Sequence, residues 1–92
     1  MFLGRIIGDV VSTVEHESLR GRKLLLVERL DTAGEPTGGS VIAVDSVDAG
    51  PGDVVLVADE GGSAAMVTGQ KDPPIRTVIV GVVDHVHLEE GA

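Results

Sequence analysis

Ile75-Arg76-Thr77-Val78-Ile79-Val80-Gly81-Val82-Val83-Asp84 is dominated by β-branched residues, carries one glycine, and decides the fold. Such residues suit the pleated, half-buried surface of a sheet. The run has a counterpart near the other end, Leu3-Gly4-Arg5-Ile6-Ile7-Gly8-Asp9-Val10-Val11. A small chain with its best strands at both ends is expected to close into a barrel in which first and last strands meet. Side chains alternate across a strand. Val78, Val80, Val82, Val86 and Leu88 would therefore share one face, and Thr77, Ile79, Gly81, Val83, His85 and His87 the other. The second face stays apolar until its two histidines. A strand apolar on both faces is buried on both, yet one small barrel offers a core to only one of them. Ile79 and Val83 are thus expected on an outer face that meets another chain or stays as an exposed patch. Ile6, Ile7, Val10 and Val11 repeat the pattern and strengthen the case for an oligomer.

Composition agrees with β structure and limits the function classes. The chain has 92 residues, which suggests a single domain over 1–92. It contains 16 Val, 8 Leu and 5 Ile but one aromatic residue, Phe2, so the core must be aliphatic. With no cysteine, neither a disulfide nor a thiolate metal site can staple it. A net charge of −8 argues against nucleic acid, whose binders need Lys and Arg to neutralise phosphates. The same charge disfavours an anionic membrane surface. No apolar run reaches transmembrane length, and the start Met1-Phe2-Leu3-Gly4-Arg5 lacks the features of a signal peptide, so a cytoplasmic location is expected.

The middle divides at its glycines and prolines. Lys23-Leu24-Leu25-Leu26-Val27-Glu28-Arg29-Leu30 has strand length, and Gly21 before it and the turn after it favour a strand over a helix. Residues 31–39, rich in turn formers, read as a loop. Ser40 to Val47 is a third strand, Asp48-Ala49-Gly50-Pro51-Gly52-Asp53 a tight turn, and Asp53 to Ala58 a fourth strand. Ser63 can cap one short helical turn over 64–67, which Pro73-Pro74 close off before the fifth strand. The expected fold is all-β: a small five-stranded, OB-like closed barrel with one short helix before the last strand.

Several of these segments, in this order, resemble the EutN/CcmL family of bacterial microcompartment vertex proteins. Leu3-Gly4-Arg5-Ile6-Ile7-Gly8 with Val10-Val11 looks like the family's opening, and Gly21-Arg22-Lys23-Leu24-Leu25-Leu26-Val27 like its second strand. Ala43-Val44-Asp45-Ser46-Val47 followed by Ala49-Gly50-Pro51-Gly52-Asp53-Val54-Val55-Leu56 is similar to its central signature. Ile79-Val80-Gly81-Val82-Val83-Asp84 is similar to its closing one. The resemblance implies a cyclic homopentamer that caps the fivefold vertices of a polyhedral shell tiled by hexameric shell proteins. Four positions depart from the family's usual sequence. Gly61-Gly62-Ser63-Ala64-Ala65 lacks a serine and an arginine, Arg76 stands where an acid is usual, and Asp48 where a glycine is usual. A reorganised subunit contact is therefore expected near Ala65 and Arg76.

The remaining motifs weigh toward plain readings. His85 and His87 lie two apart, but zinc needs three or four ligands and His16 is distant in sequence, so a solvated strand end is favoured and no metal is expected. Asp31-Thr32-Ala33-Gly34 lacks the glycine that an aspartic protease motif needs after its threonine, and it sits in a loop. Gly61-Gly62-Ser63 is a glycine-rich turn without adjacent cations; in a ring it is a candidate to line a central opening. Arg20, Arg22 and Lys23 form the only basic cluster, either an exposed loop edge or a contact with acidic groups on a neighbouring subunit or hexamer. No Ser–His–Asp arrangement is apparent, and neither catalytic residues nor a cofactor is expected. The alternative class is a free-standing OB-like module that binds a small ligand or peptide; a weaker one is a small enzyme working at a subunit interface.

Overall fold

The computed structural model describes residues 1–11, 21–59 and 75–88. Among them run five strands: β1 Phe2–Asp9, β2 Leu24–Leu30, β3 Pro36–Asp45, β4 Val54–Ala58 and β5 Val78–Val82. They close into a barrel in the order β1-β2-β3-β5-β4. Four contacts are antiparallel and one, β3 with β5, is parallel. The OB-like barrel expected from the sequence is the barrel observed. The short helix expected over 64–67 lies outside the described residues.

The barrel closes differently from the expectation. The first and last strands do not pair: β1 joins β4, while β5 is inserted between β3 and β4. The parallel β3–β5 pair, Val44 opposite Val78 and Asp45 opposite Ile79, makes this insertion possible. Part of the expected loop over 31–39 also belongs to a strand. The turn is confined to 31–35, where Asp31 Oδ1 accepts hydrogen bonds from the backbone N–H groups of Ala33 at 2.9 Å and Glu35 at 3.0 Å. Gly34 completes it at φ +85°, a left-handed angle that favours glycine. Pro36 to Gly39 then enter β3 across an irregularity opposite Glu28 to Leu30.

The core is aliphatic. Ile6, Leu25, Val27, Ala43, Ala49, Val55, Val57 and Ile79 form one buried cluster, with Phe2, Val41 and Val47 packed against it. A second cluster of Leu24, Val44 and Val78 is flanked by Val10 and Ile75. Burying a Val, Leu or Ile side chain contributes roughly 1.5–3 kcal/mol. Gly4 marks the tightest approach between β1 and β2: a Cβ there would run into Val27 Cγ1 and lie 3.1 Å from the Glu28 carbonyl.

The turn between β3 and β4 is held by charged side chains. Asp45, its carboxylate almost wholly buried, accepts from the N–H groups of Val47 and Ala49, each at 3.0 Å. Asp53 Oδ2 accepts from Gly50 N–H at 2.9 Å. Gly52 N–H donates to the Ile6 carbonyl, and Ile6 N–H to the Asp53 carbonyl, which bolts the turn onto β1. Ser46 Oγ donates to the Ile79 carbonyl at 2.6 Å and ties it to β5.

Candidate assembly surface

From Ile79 onward β5 alternates as expected, but with the inner and outer faces exchanged: Ile79 and Val83 are on the more buried side and Val80 and Val82 on the exposed one. Ile79 is fully buried in the main cluster, so its expected place on an outer contact face is corrected: no side-chain surface is left for a neighbour. Val80 and Val82, expected inside, are exposed. Val78, buried in the second cluster, is the one residue out of phase; β5 also carries a bulge at Val80, since Val57 pairs with Ile79 and Leu56 with Gly81. Val83 continues the ladder by donating to the Val54 carbonyl at 2.8 Å and is half-buried. It lines a groove of about 230 Å³ with Leu3, Leu30, Val54 and His85. This groove is the place a small ligand would occupy under the alternative reading.

Among the described residues, the exposed large apolar side chains other than Met1 and Val11 fall into two groups. One lies on the outer face of β1–β2–β3. Leu26 opposes Gly8 on one side and Ile42 on the other, and directly opposed residues share a face. Ile7, in the bulge between Ile6 and Gly8, adds its side chain, giving a stripe of Ile7, Leu26 and Ile42. Arg5 and Glu28, an opposite-charge pair two residues along, flank it. The other group is Val80, Val82, Val86 and Leu88, on β5 and the segment that leaves it. Outside the half-buried Leu26, these side chains are between 37% and 59% exposed, large values for aliphatic residues. Because β2 is flanked by β1 and β3, the β5–β4 pair stands across the barrel from it. Val80 and Val82 thus stand across the barrel from Leu26, whereas Ile42 lies on β3, the strand next to β5.

The polar candidates divide differently from the sequence reading. Lys23 is engaged within its own chain: Nζ donates to the Ala49 carbonyl at 2.7 Å and lies 3.6 Å from Asp45 Oδ2 and 3.5 Å from Asp48 Oδ1. It therefore braces the 45–50 turn while staying on an exposed loop edge, one of the two readings given for the basic cluster. Arg22 is exposed, and Arg20 lies outside the described residues. Arg76 is exposed just before β5, beside Thr77, whose hydroxyl donates to the Ile42 carbonyl. His85 and His87 are both exposed, and His16 lies outside the described residues. Gly61, Gly62, Ser63 and Ala65 also lie outside them. At the barrel's end the Met1 ammonium, 2.9 Å from Asp59 Oδ1, holds that carboxyl below the usual carboxylate range. Arg29 lies 3.9 Å from Asp59 Oδ2 and stacks 3.8 Å over the Phe2 ring.

Residues 1–84 match the family described as ethanolamine utilisation protein EutN/carboxysome. The chain belongs to the EutN/CcmL family. It is 46% identical over 86 residues to the bacterial microcompartment shell vertex protein GrpN of Rhodospirillum rubrum, covering 94% of this chain and 96% of GrpN. It is 47% identical over 88 residues to the shell vertex protein PduN of Salmonella typhimurium, covering 91% of this chain and 96% of PduN. The carboxysome shell vertex protein CcmL of Synechocystis is 41% identical over 92 residues, covering 100% of this chain and 91% of CcmL. The solved GrpN structure, described as a pentameric microcompartment shell protein, superposes with a TM-score of 0.83 over 96% of this chain and 100% of that one. Within the EutN/CcmL framework the central signature is structural: Asp45, Ser46 and Asp53 are the side chains that clamp the β3–β4 turn. Sequence reasoning missed this use, although a pair of acids bracketing a Gly-Pro-Gly turn is a legible cue.

Proposed function

We propose that the chain is a structural shell protein of a bacterial microcompartment, a homopentamer that caps the fivefold vertices of a polyhedral shell within the cytoplasm. The observation that carries this is the near end-to-end match to proteins named as shell vertex proteins, including one solved as a pentamer. The exposed apolar side chains on two sides of the barrel support it, because a cyclic ring needs two different patches per subunit. Work of this kind is done by shape rather than by catalysis: five subunits close and present a rim. The partners on this reading are other copies of the chain and hexameric shell proteins around the vertex, with Arg20 and Arg22 as candidate hexamer contacts. Val83, Arg76 and Ala65 remain candidate subunit contacts, and Gly61-Gly62-Ser63 the candidate axial loop.

Light scattering of the purified protein is expected to give the mass of five subunits; a stable monomer removes the vertex reading. In the same measurement Arg76→Ala is expected to loosen the ring, and an unchanged assembly removes Arg76 from the contact. Co-expression with hexameric shell proteins is expected to yield closed shells.

A further inference from the structure

We propose that the groove between the 31–35 turn and the segment after β5 binds a short primary alkylammonium ion, its carbon tail on an aliphatic floor and its ammonium head on an acceptor-rich lip. A subunit with such a groove carries a small-molecule site in addition to its assembly surfaces. The floor is apolar: Leu3, Leu30, Val54, Val83 and Val86 line it. Its volume of about 230 Å³ is that of roughly seven or eight water molecules at about 30 Å³ each, room for a head group and a tail of a few carbons. The lip selects the charge of the head. The 31–35 turn spends its donors on itself: the N–H groups of Ala33 and Glu35 donate to Asp31 Oδ1 at 2.9 and 3.0 Å, and Gly34 N–H donates to the Asp31 carbonyl at 3.0 Å. At Ala33 and Gly34 only carbonyl oxygens remain for a ligand, and Thr32 adds a hydroxyl. Asp84 adds a carboxylate, and among the described residues no Lys or Arg lies within ion-pair distance of it. An anionic head would meet acceptors and like charge. A primary ammonium brings three donors, and its hydrogen bonds to a carboxylate are charge-assisted. Asp84 is exposed, so the head sheds only part of its water on binding.

Titration of the full chain with n-butylammonium, followed by amide NMR shifts, tests the site. Saturable shifts are expected at Ala33, Gly34, Val83 and His85. 1-Butanol and butyrate, with tails of similar length, are expected to bind at least about tenfold more weakly. Asp84→Asn is expected to weaken n-butylammonium about tenfold while leaving 1-butanol unchanged, a split that a loss of structure would not produce. Val86→Ser, on the floor, is expected to weaken both. Asp48→Asn removes an almost fully exposed carboxylate from a different turn and controls for general attraction to a chain of charge −8. It is expected to change the binding of n-butylammonium less than twofold, roughly the effect of screened long-range charge. Should Asp84→Asn lose its fold, Thr32→Val removes a second acceptor from the same lip. Equal binding of the three probes, shifts that do not saturate or fall elsewhere, or equal losses from Asp48→Asn and Asp84→Asn each overturn the site.

Discussion

Asp48 sits at φ +57°, the left-handed region where an L side chain crowds the following carbonyl. The family resemblance places a glycine at this position, and the backbone angle explains why. Asp48 tolerates the angle better than most residues do, and it gains a contact with Lys23 at 3.5 Å, but its side chain is almost fully exposed and such pairs contribute little. Asp48→Gly relieves a strain of about 1–2 kcal/mol and adds about 0.5–1 kcal/mol of unfolded-state entropy. A net stabilisation of about 0.5–1 kcal/mol is expected, read as a higher midpoint in denaturant unfolding; a lower midpoint would show that the Lys23 contact outweighs the strain. Asp45 is the contrasting case. It looked like one more acid in a signature, yet its buried carboxylate holds two backbone N–H groups. The sequence showed that these positions were turn-bound, not which side chains hold the turn, because that depends on where Ala49 and Gly50 come to lie.

The elements themselves were largely legible. Runs of Val, Ile and Leu separated by Gly and Pro located all five strands, since β-branched residues favour the pleated sheet and turn residues interrupt it. What failed was the phase of β5. Alternation correctly separates Ile79 and Val83 from Val80 and Val82, but both sets are apolar, so the pattern alone does not say which of them faces the core. The barrel turns Ile79 inward, and the exposed group on outer β5 is the set that the sequence places inside. A pair of truncations separates the two readings. Ile79→Ala is expected to cost about 2–5 kcal/mol, as core truncations do, whereas Val80→Ala should cost less than about 1 kcal/mol in the isolated subunit. Chemical denaturation of both variants under dissociating conditions checks this; similar losses would place Val80 inside as well. Pro36 to Gly39 show the opposite error, turn-forming residues recruited into a strand because β2 offers them a paired edge.

For the whole molecule, the dominant long-range term is repulsion. Five copies of a −8 chain bring −40 charges into one ring. Raising salt from about 0.01 M to about 0.15 M shortens the screening length from about 30 Å to about 8 Å, so apolar contact should prevail more easily. The ring's dissociation constant is expected to fall over this range; a rise would mean that ion pairs, with Arg76 the first to examine, dominate the contact. The order of the strands has a consequence for biogenesis. Because β5 slots between β3 and β4, a nascent chain on the ribosome carries two open sheet edges and lacks Ile79 from its core until nearly all of its strands have emerged. Closure of the barrel therefore waits for the last of the five strands, so a partly synthesised subunit does not yet present the completed outer surface that a ring neighbour meets.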